Sequence, residues 1–231
     1  MFVEGTLRWQ VTEDCPWDLL MALAVRDLTG LSERVQPTLP PLHPAVSPVL
    51  QPHHPGPVGG RMRTRPLPLG DPRRGRPPGT GEGTDPAAPD ALAQQWQAWF
   101  DLAADRHRRA TAPLLRPPHF EAFDRAIELQ DAVIAHYELA DRWATARHAE
   151  YLGASADYHA RRAADIVDVV REREHELRRQ AGYFRLDIDV LPLAEKGAWI
   201  VGPHTVAISS TLRDDSDAFR GWLRPLVAAL V

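Results

Sequence analysis

Cys15 is the one thiol in the 231-residue chain. It stands where an alternating segment passes into a helical one, and the dipole at a helix start lowers a thiol pKa and readies it for nucleophilic or redox work. Glu13 and Asp14, just before it, oppose that effect by placing negative charge beside a thiolate. A phosphatase-type loop would need an arginine six positions on, where the chain has Met21, and Cys15-Pro16-Trp17-Asp18 is not a CxxC pair. A small, part-buried side chain at the head of a helix is the plainer reading, and a reactive thiol the sharper one.

Metal chemistry needs ligands that converge. His148 and His159 flank Gly153, so a turn at 153–155 would set them facing each other across the mouth of a helical hairpin. Glu172 and His175 form one Glu-x-x-His unit, which di-metal carboxylate bundles use twice, together with two further carboxylates. Thr145 and Val133 stand three positions before His148 and His136, so the other long helix offers no second unit, and no HExxH occurs. His148, His159, Glu172 and His175 are therefore the candidate metal ligands, and polar positions on exposed helix faces are the better account of them.

Phosphate chemistry has one candidate. Arg61, Arg63, Arg65, Arg73, Arg74 and Arg76 crowd into one stretch, offset only by Asp71. Such a run holds a nucleic-acid backbone or an acidic partner through counterion release. It has no aromatic residue to stack on bases, so the expected binding is nonspecific. The glycines of GTGEG at 79–83 follow no strand and precede no Lys-Ser or Lys-Thr, so they are not a phosphate loop. No cofactor fingerprint occurs, and none is expected to be bound.

Composition sets the frame for these groups. The apolar fraction of 44% is that of a globular chain, and a net charge of -4 gives no overall attraction to nucleic acid or membrane. A lone cysteine excludes an intrachain disulfide. The N-terminus has no basic region followed by an apolar core, and no run approaches the length of a membrane span. The expected location is the cytoplasm.

The elements follow from periodicity. Val3, Gly5, Leu7, Trp9 and Val11 alternate with polar residues and predict a half-buried strand. Thr12, Glu13 and Asp14 are candidate caps for a helix carrying Trp17, Leu20, Met21, Ala24 and Leu28, stopped at Gly30. From Val35 the pattern is lost, and residues 35–89 hold 15 of the 22 prolines, which predicts an extended, poorly ordered linker or long loop. PxxP spacings such as Pro37/Pro40 and Pro41/Pro44 suit a polyproline ligand, although a proline-rich stretch produces them by chance. Between 90 and 182 three helices are expected. The first carries Leu92, Trp96, Trp99 and Ala103; the second presents Phe120, Phe123, Ile127, Ile134 and Tyr137, widened by Leu129, Val133, Ala140 and Trp143. The third presents Ala160, Ala163, Val167, Val170, Leu177 and Ala181 as the seam of a helical hairpin. In the tail, Phe184, Leu186, Ile188 and Val190 alternate with Arg185, Asp187 and Asp189, predicting one buried and one wet face. A returning strand runs from Trp199 to Ser209 with an irregularity expected at Gly202-Pro203, and a last helix carries Phe219, Trp222, Leu223, Leu226, Val227 and Leu230 inward, with Pro225 expected to kink or restart it.

The expected fold is α+β. A small antiparallel sheet joins the N-terminal strand (1–34 with its helix) to a C-terminal hairpin (183–231), beside a helical bundle (90–182) and interrupted by the linker 35–89. With no paired catalytic groups in view, the expected function is non-catalytic protein–protein interaction, as an adaptor, assembly factor or accessory subunit whose partner is another protein. The alternatives are a nucleic-acid-associated protein using Arg61 to Arg76 and a metal-dependent enzyme using the histidine and glutamate set.

Overall fold

The computed structural model describes residues 9–47, 91–105, 115–154 and 156–231, together with the backbone of Phe2–Val3. Phe2–Val3 (β1) pairs antiparallel with Trp9–Asp14 (β2), Phe2 opposite Thr12 and Val3 opposite Val11. The one strand expected from Val3 to Val11 is thus two. β2 runs on through Thr12, Glu13 and Asp14, which are strand residues and not helix caps. Pro16 opens the first helix, α1 (Trp17–Leu28), where its fixed φ and missing donor are tolerated. Gly30, at φ +69°, takes the left-handed conformation just past the end, as its place in the sequence predicted. Every residue from Leu19 to Arg26 is fully buried, so α1 is enclosed on all sides.

Three further strands, Phe184–Leu191 (β3), Ala198–Ile200 (β4) and Thr205–Ser209 (β5), complete a five-stranded sheet in the order β1-β2-β3-β5-β4. The N-terminal and C-terminal strands do pair, but the sheet is mixed: β2, β3 and β5 are mutually parallel, and only β1 and β4 at the edges run antiparallel. The physical reason lies at Gly202-Pro203. The segment expected as one returning strand turns there, and its second half enters between β3 and β4. Trp9 stacks on its register partner Phe184 with ring centroids 6.1 Å apart, fixing the alignment of β2 on β3.

Helices cover both faces. On one, α1 packs with α2 (Ala91–Ala104) and α3 (Ile127–Leu152) over Leu191 and Ala207. On the other, α4 (Ala156–Leu177) and α6 (Ser216–Leu230) pack over Val11, Leu186, Ile188, Val206 and Ile208. A single turn, α5 (Ser210–Arg213), joins β5 to α6. α6 is capped by Asp215, whose carboxylate accepts from the Ala218 amide at 3.0 Å, and it runs through Pro225 as one helix. The hairpin expected of the second and third long helices is not formed. α3 and α4 belong to opposite layers, and 90–182 is no separate bundle. The α3 face was also misassigned in part: Leu129, Val133 and Ala140 are buried, whereas Ile127 and Ile134 are 61% and 51% exposed.

The polar face expected to be wet on β3 is buried beneath α1–α3. Asp187 accepts from Thr12 Oγ1 and from Arg185 Nε (2.9 Å), and Asp189 has no exposed surface. Residues 35–47, read as the start of a linker, are an ordered strap. Arg26, fully buried, donates to the carbonyls of Leu39 (2.9 Å) and Pro40 (2.8 Å). Asp27 accepts from the Leu42 amide at 2.7 Å, and His43 N donates to the Pro192 carbonyl at 2.7 Å. Polar partners thereby replace the apolar periodicity that the strap lacks. The body comprises Met1–Ser47 and Asp90–Val231.

Candidate functional site

The three parallel strands end together, with Asp14 beside Asp189 and Leu191 beside Ser209. In open α/β sheets, ligands bind in the crevice outside these carboxyl ends. A crevice of about 290 Å³ lies there. Its floor is Cys15 from the end of β2, Val190 and Pro192 from the end of β3, and Ser210 after β5. Its wall comes from the short link between α3 and α4, which crosses this edge of the sheet because the two helices lie on opposite faces. The last turns of α3 contribute Arg147, Glu150 and Tyr151, and the first turns of α4 contribute Tyr158 and Arg162. His43 of the strap also lines it.

Beneath the wall is a buried ionic network. Glu13, with no exposed surface, accepts from Arg213 Nε at 2.7 Å and from Arg162 Nη1 at 3.1 Å. Arg162 also reaches Asp214 at 2.5 Å, and its guanidinium lies 4.3 Å from the Tyr158 ring centroid. Arg213 extends to Asp165 (3.3 Å) and donates to the Arg162 carbonyl at 2.5 Å. Burying an ion costs several kcal/mol unless its partners are complete. Here each charge has at least one counter-charge, so the network holds Arg162 and Tyr158 at fixed positions in the wall.

The protons of the lining groups are held tightly. Burial, reinforced by Asp14 and Asp189, pushes the Cys15 thiol up to about 12. Burial and then the hydrogen bond to Asp214 raise the Tyr158 phenol to about 12. Tyr151 is raised as well, first by burial and then by Glu13. At neutral pH the crevice therefore presents protonated donors. The reactive-thiol reading of Cys15 gains no support from this environment, because the side chain is 3% exposed and burial, with Asp14 and Asp189, disfavours the thiolate.

Of the other sequence candidates, His148 and His159 do reach the neighbourhood. His148 Nδ1 donates to the Cys15 carbonyl at 2.7 Å, which orients the ring against the end of β2. His159 meets Tyr151 and Tyr158 edge-on at 5.6 and 5.7 Å. Glu172 is elsewhere, tying α4 to α6 through Arg220 (2.6 Å) and Arg224 (3.1 Å). His175 lies in the last turn of α4, at the end away from the crevice. The four are not brought together, and among the described residues no group of three or more His, Cys, Asp or Glu side chains is placed to hold a metal ion. Arg61, Arg63, Arg65, Arg73, Arg74 and Arg76 lie outside the described residues. No described helix is long and apolar enough to cross a membrane.

Sequence spacing missed Glu13, Tyr151, Tyr158, Arg162 and Arg213, which come from segments far apart in the chain. One signal was present: Arg162 and Asp165 interrupt the face that Ile166, Val169 and Val170 bury, and a charge on such a face needs a buried partner. No family model, curated protein or solved structure matches the chain.

Proposed function

We propose that the chain is a non-catalytic binding protein whose α/β body holds a small molecule at the carboxyl edge of its parallel strands. The observation that carries this reading is the crevice itself, into which three strand ends, two helix ends and the strap converge. Its volume lies at the lower limit for ligand pockets and equals the share of about ten waters. Contact with a partner protein, the role first expected of the proline-rich linker, would then be a second property of the same chain.

A fragment screen followed by protein NMR tests this. Fragments are expected to shift the amides of Cys15, Tyr151 and Tyr158, and Ala154→Trp, which fills the crevice from the end of α3, is expected to abolish those shifts. A screen that perturbs none of these amides would overturn the reading.

A further inference from the structure

Helix α4 ends on a row of exposed cations. Arg171, His175 and Arg178 follow one another at four and three positions, so they share one side of the helix over about 10 Å. The acidic residues of the same turns are engaged elsewhere. Glu172 receives Arg220 and Arg224 from α6, Glu176 receives Arg173 at 3.0 Å, and Glu174 accepts from the Ala181 amide at 2.8 Å. Arg171 and Arg178 have no carboxylate partner among the described residues, and Arg179 donates to the Val231 carbonyl at 2.8 Å. Positive charge is therefore in excess on this side of the helix end.

A favourable helix dipole accounts for cations in a last turn, but two features go beyond it. Arg178 has φ +51°, the left-handed conformation at a position where helices ordinarily place glycine. A Cβ there crowds the following carbonyl, and the arginine is kept in spite of it. Tyr183 is 81% exposed, more than any other large apolar or aromatic side chain among the described residues. Its place beside the row follows from Glu174, which stands three positions from Arg171 and four from Arg178. The bond from Glu174 to the Ala181 amide folds the link to β3 back along the flank of the row. An anionic lipid surface would need apolar side chains around the cations, and the exposed neighbours are Glu172, Glu176, Arg179 and Gln180. An acidic peptide would leave the tyrosine ring unused. We infer that this end of α4 binds a short run of single-stranded nucleic acid, its phosphates along Arg171, Arg178 and Arg179 and one base stacked on Tyr183. A duplex, whose bases are stacked inside, offers Tyr183 no face.

The row lies at the end of α4 away from the crevice, so it does not depend on the small-molecule reading. Hexathymidylate titrated into the full chain tests it, following the amides of Arg178, Arg179 and Tyr183 by NMR. These are expected to shift at 50 mM salt, and affinity to fall about twentyfold by 200 mM, the slope for three phosphates of a single strand. Tyr183→Ala is expected to weaken binding at least about fivefold, and to make no difference to an abasic hexamer of the same charge. Arg178→Gly should raise the melting temperature of the free protein, because it relieves the left-handed backbone, while flattening the salt slope by about a third. A merely structural arginine would leave that slope alone. Unmoved amides, as when only the arginines of 61–76 bind, would overturn the inference, and so would an abasic hexamer bound as tightly as the thymidylate. Phosphatidylserine vesicles that engage these amides where the hexamer does not would overturn it in favour of a membrane surface.

Discussion

Cys15 shows how far surroundings can move a group from the chemistry its type suggests. An ordinary thiol ionises near 9.0, and burial beside Asp14 and Asp189 moves this one to about 12. At pH 8 the folded chain therefore keeps this thiol protonated. Ellman's reagent is expected to leave the native protein unlabelled over hours and to label it at once in denaturant. The linkage has a definite sign. The folded-state pKa lies above the unfolded one, so its contribution to stability is complete below pH 9.0 and is lost as pH rises toward 12. Cys15→Ala should flatten that alkaline loss by up to about 1.4 kcal/mol per pH unit, read from denaturant titrations at pH 8 to 10.5. Rapid native labelling would contradict the buried geometry. Glu13 is a different case, a buried carboxylate paired with two guanidiniums. Glu13→Ala leaves Arg162 and Arg213 buried without it and should cost about 3–5 kcal/mol. Calorimetry reads this as a large fall in melting temperature.

Among the elements, the strap 35–47 shows what periodicity can and cannot reveal. Helix α1, the alternating β2 and β3, Gly30 as a stop and the apolar face of α6 were legible, because each follows a repeat of 3.6 or 2 or a residue with special backbone freedom. The strap has no repeat. It is ordered by Arg26 and Asp27, which a helical pattern treats as exposed end residues, and by backbone pairing of Leu42 with Leu193. The parallel sense of the sheet was illegible for a related reason. Direction depends on where Gly202-Pro203 turns the chain, and alternation is the same in either sense. The crevice was less legible still, since its donors meet only through this topology. Asp27→Ala tests the strap: Arg26 would keep its carbonyl partners and lose its counter-charge. The expected cost is about 3–5 kcal/mol, with the amides of Leu42, His43 and Ala194 losing hydrogen-exchange protection first. Protection unchanged at these three amides would show that the strap is held by its apolar residues alone.

On the scale of the whole molecule, the body carries two cores, one on each face of the sheet, and both are built from Met1–Ser47 and Asp90–Val231. Pro48–Pro89 falls outside the described residues, and the named core residues all lie in the body. Replacing it with a Gly/Ser linker of about a third its length should therefore keep a single cooperative transition. It should even stabilise the body by about 1 kcal/mol, since loop-closure entropy changes by roughly 0.6 kcal/mol for each doubling of length. The same replacement removes Arg61, Arg63, Arg65, Arg73, Arg74 and Arg76 and leaves the crevice intact, so it separates two functions that one chain could hold. If the arginines bind phosphate backbones, the full chain will hold a DNA duplex at 50 mM salt and release it steeply toward 200 mM, and the replaced chain will not bind at either. Fragment-induced shifts at the amides of Cys15, Tyr151 and Tyr158 should be equal in both. A replaced chain that unfolds in two steps, or loses those shifts, would mean that the segment completes the body.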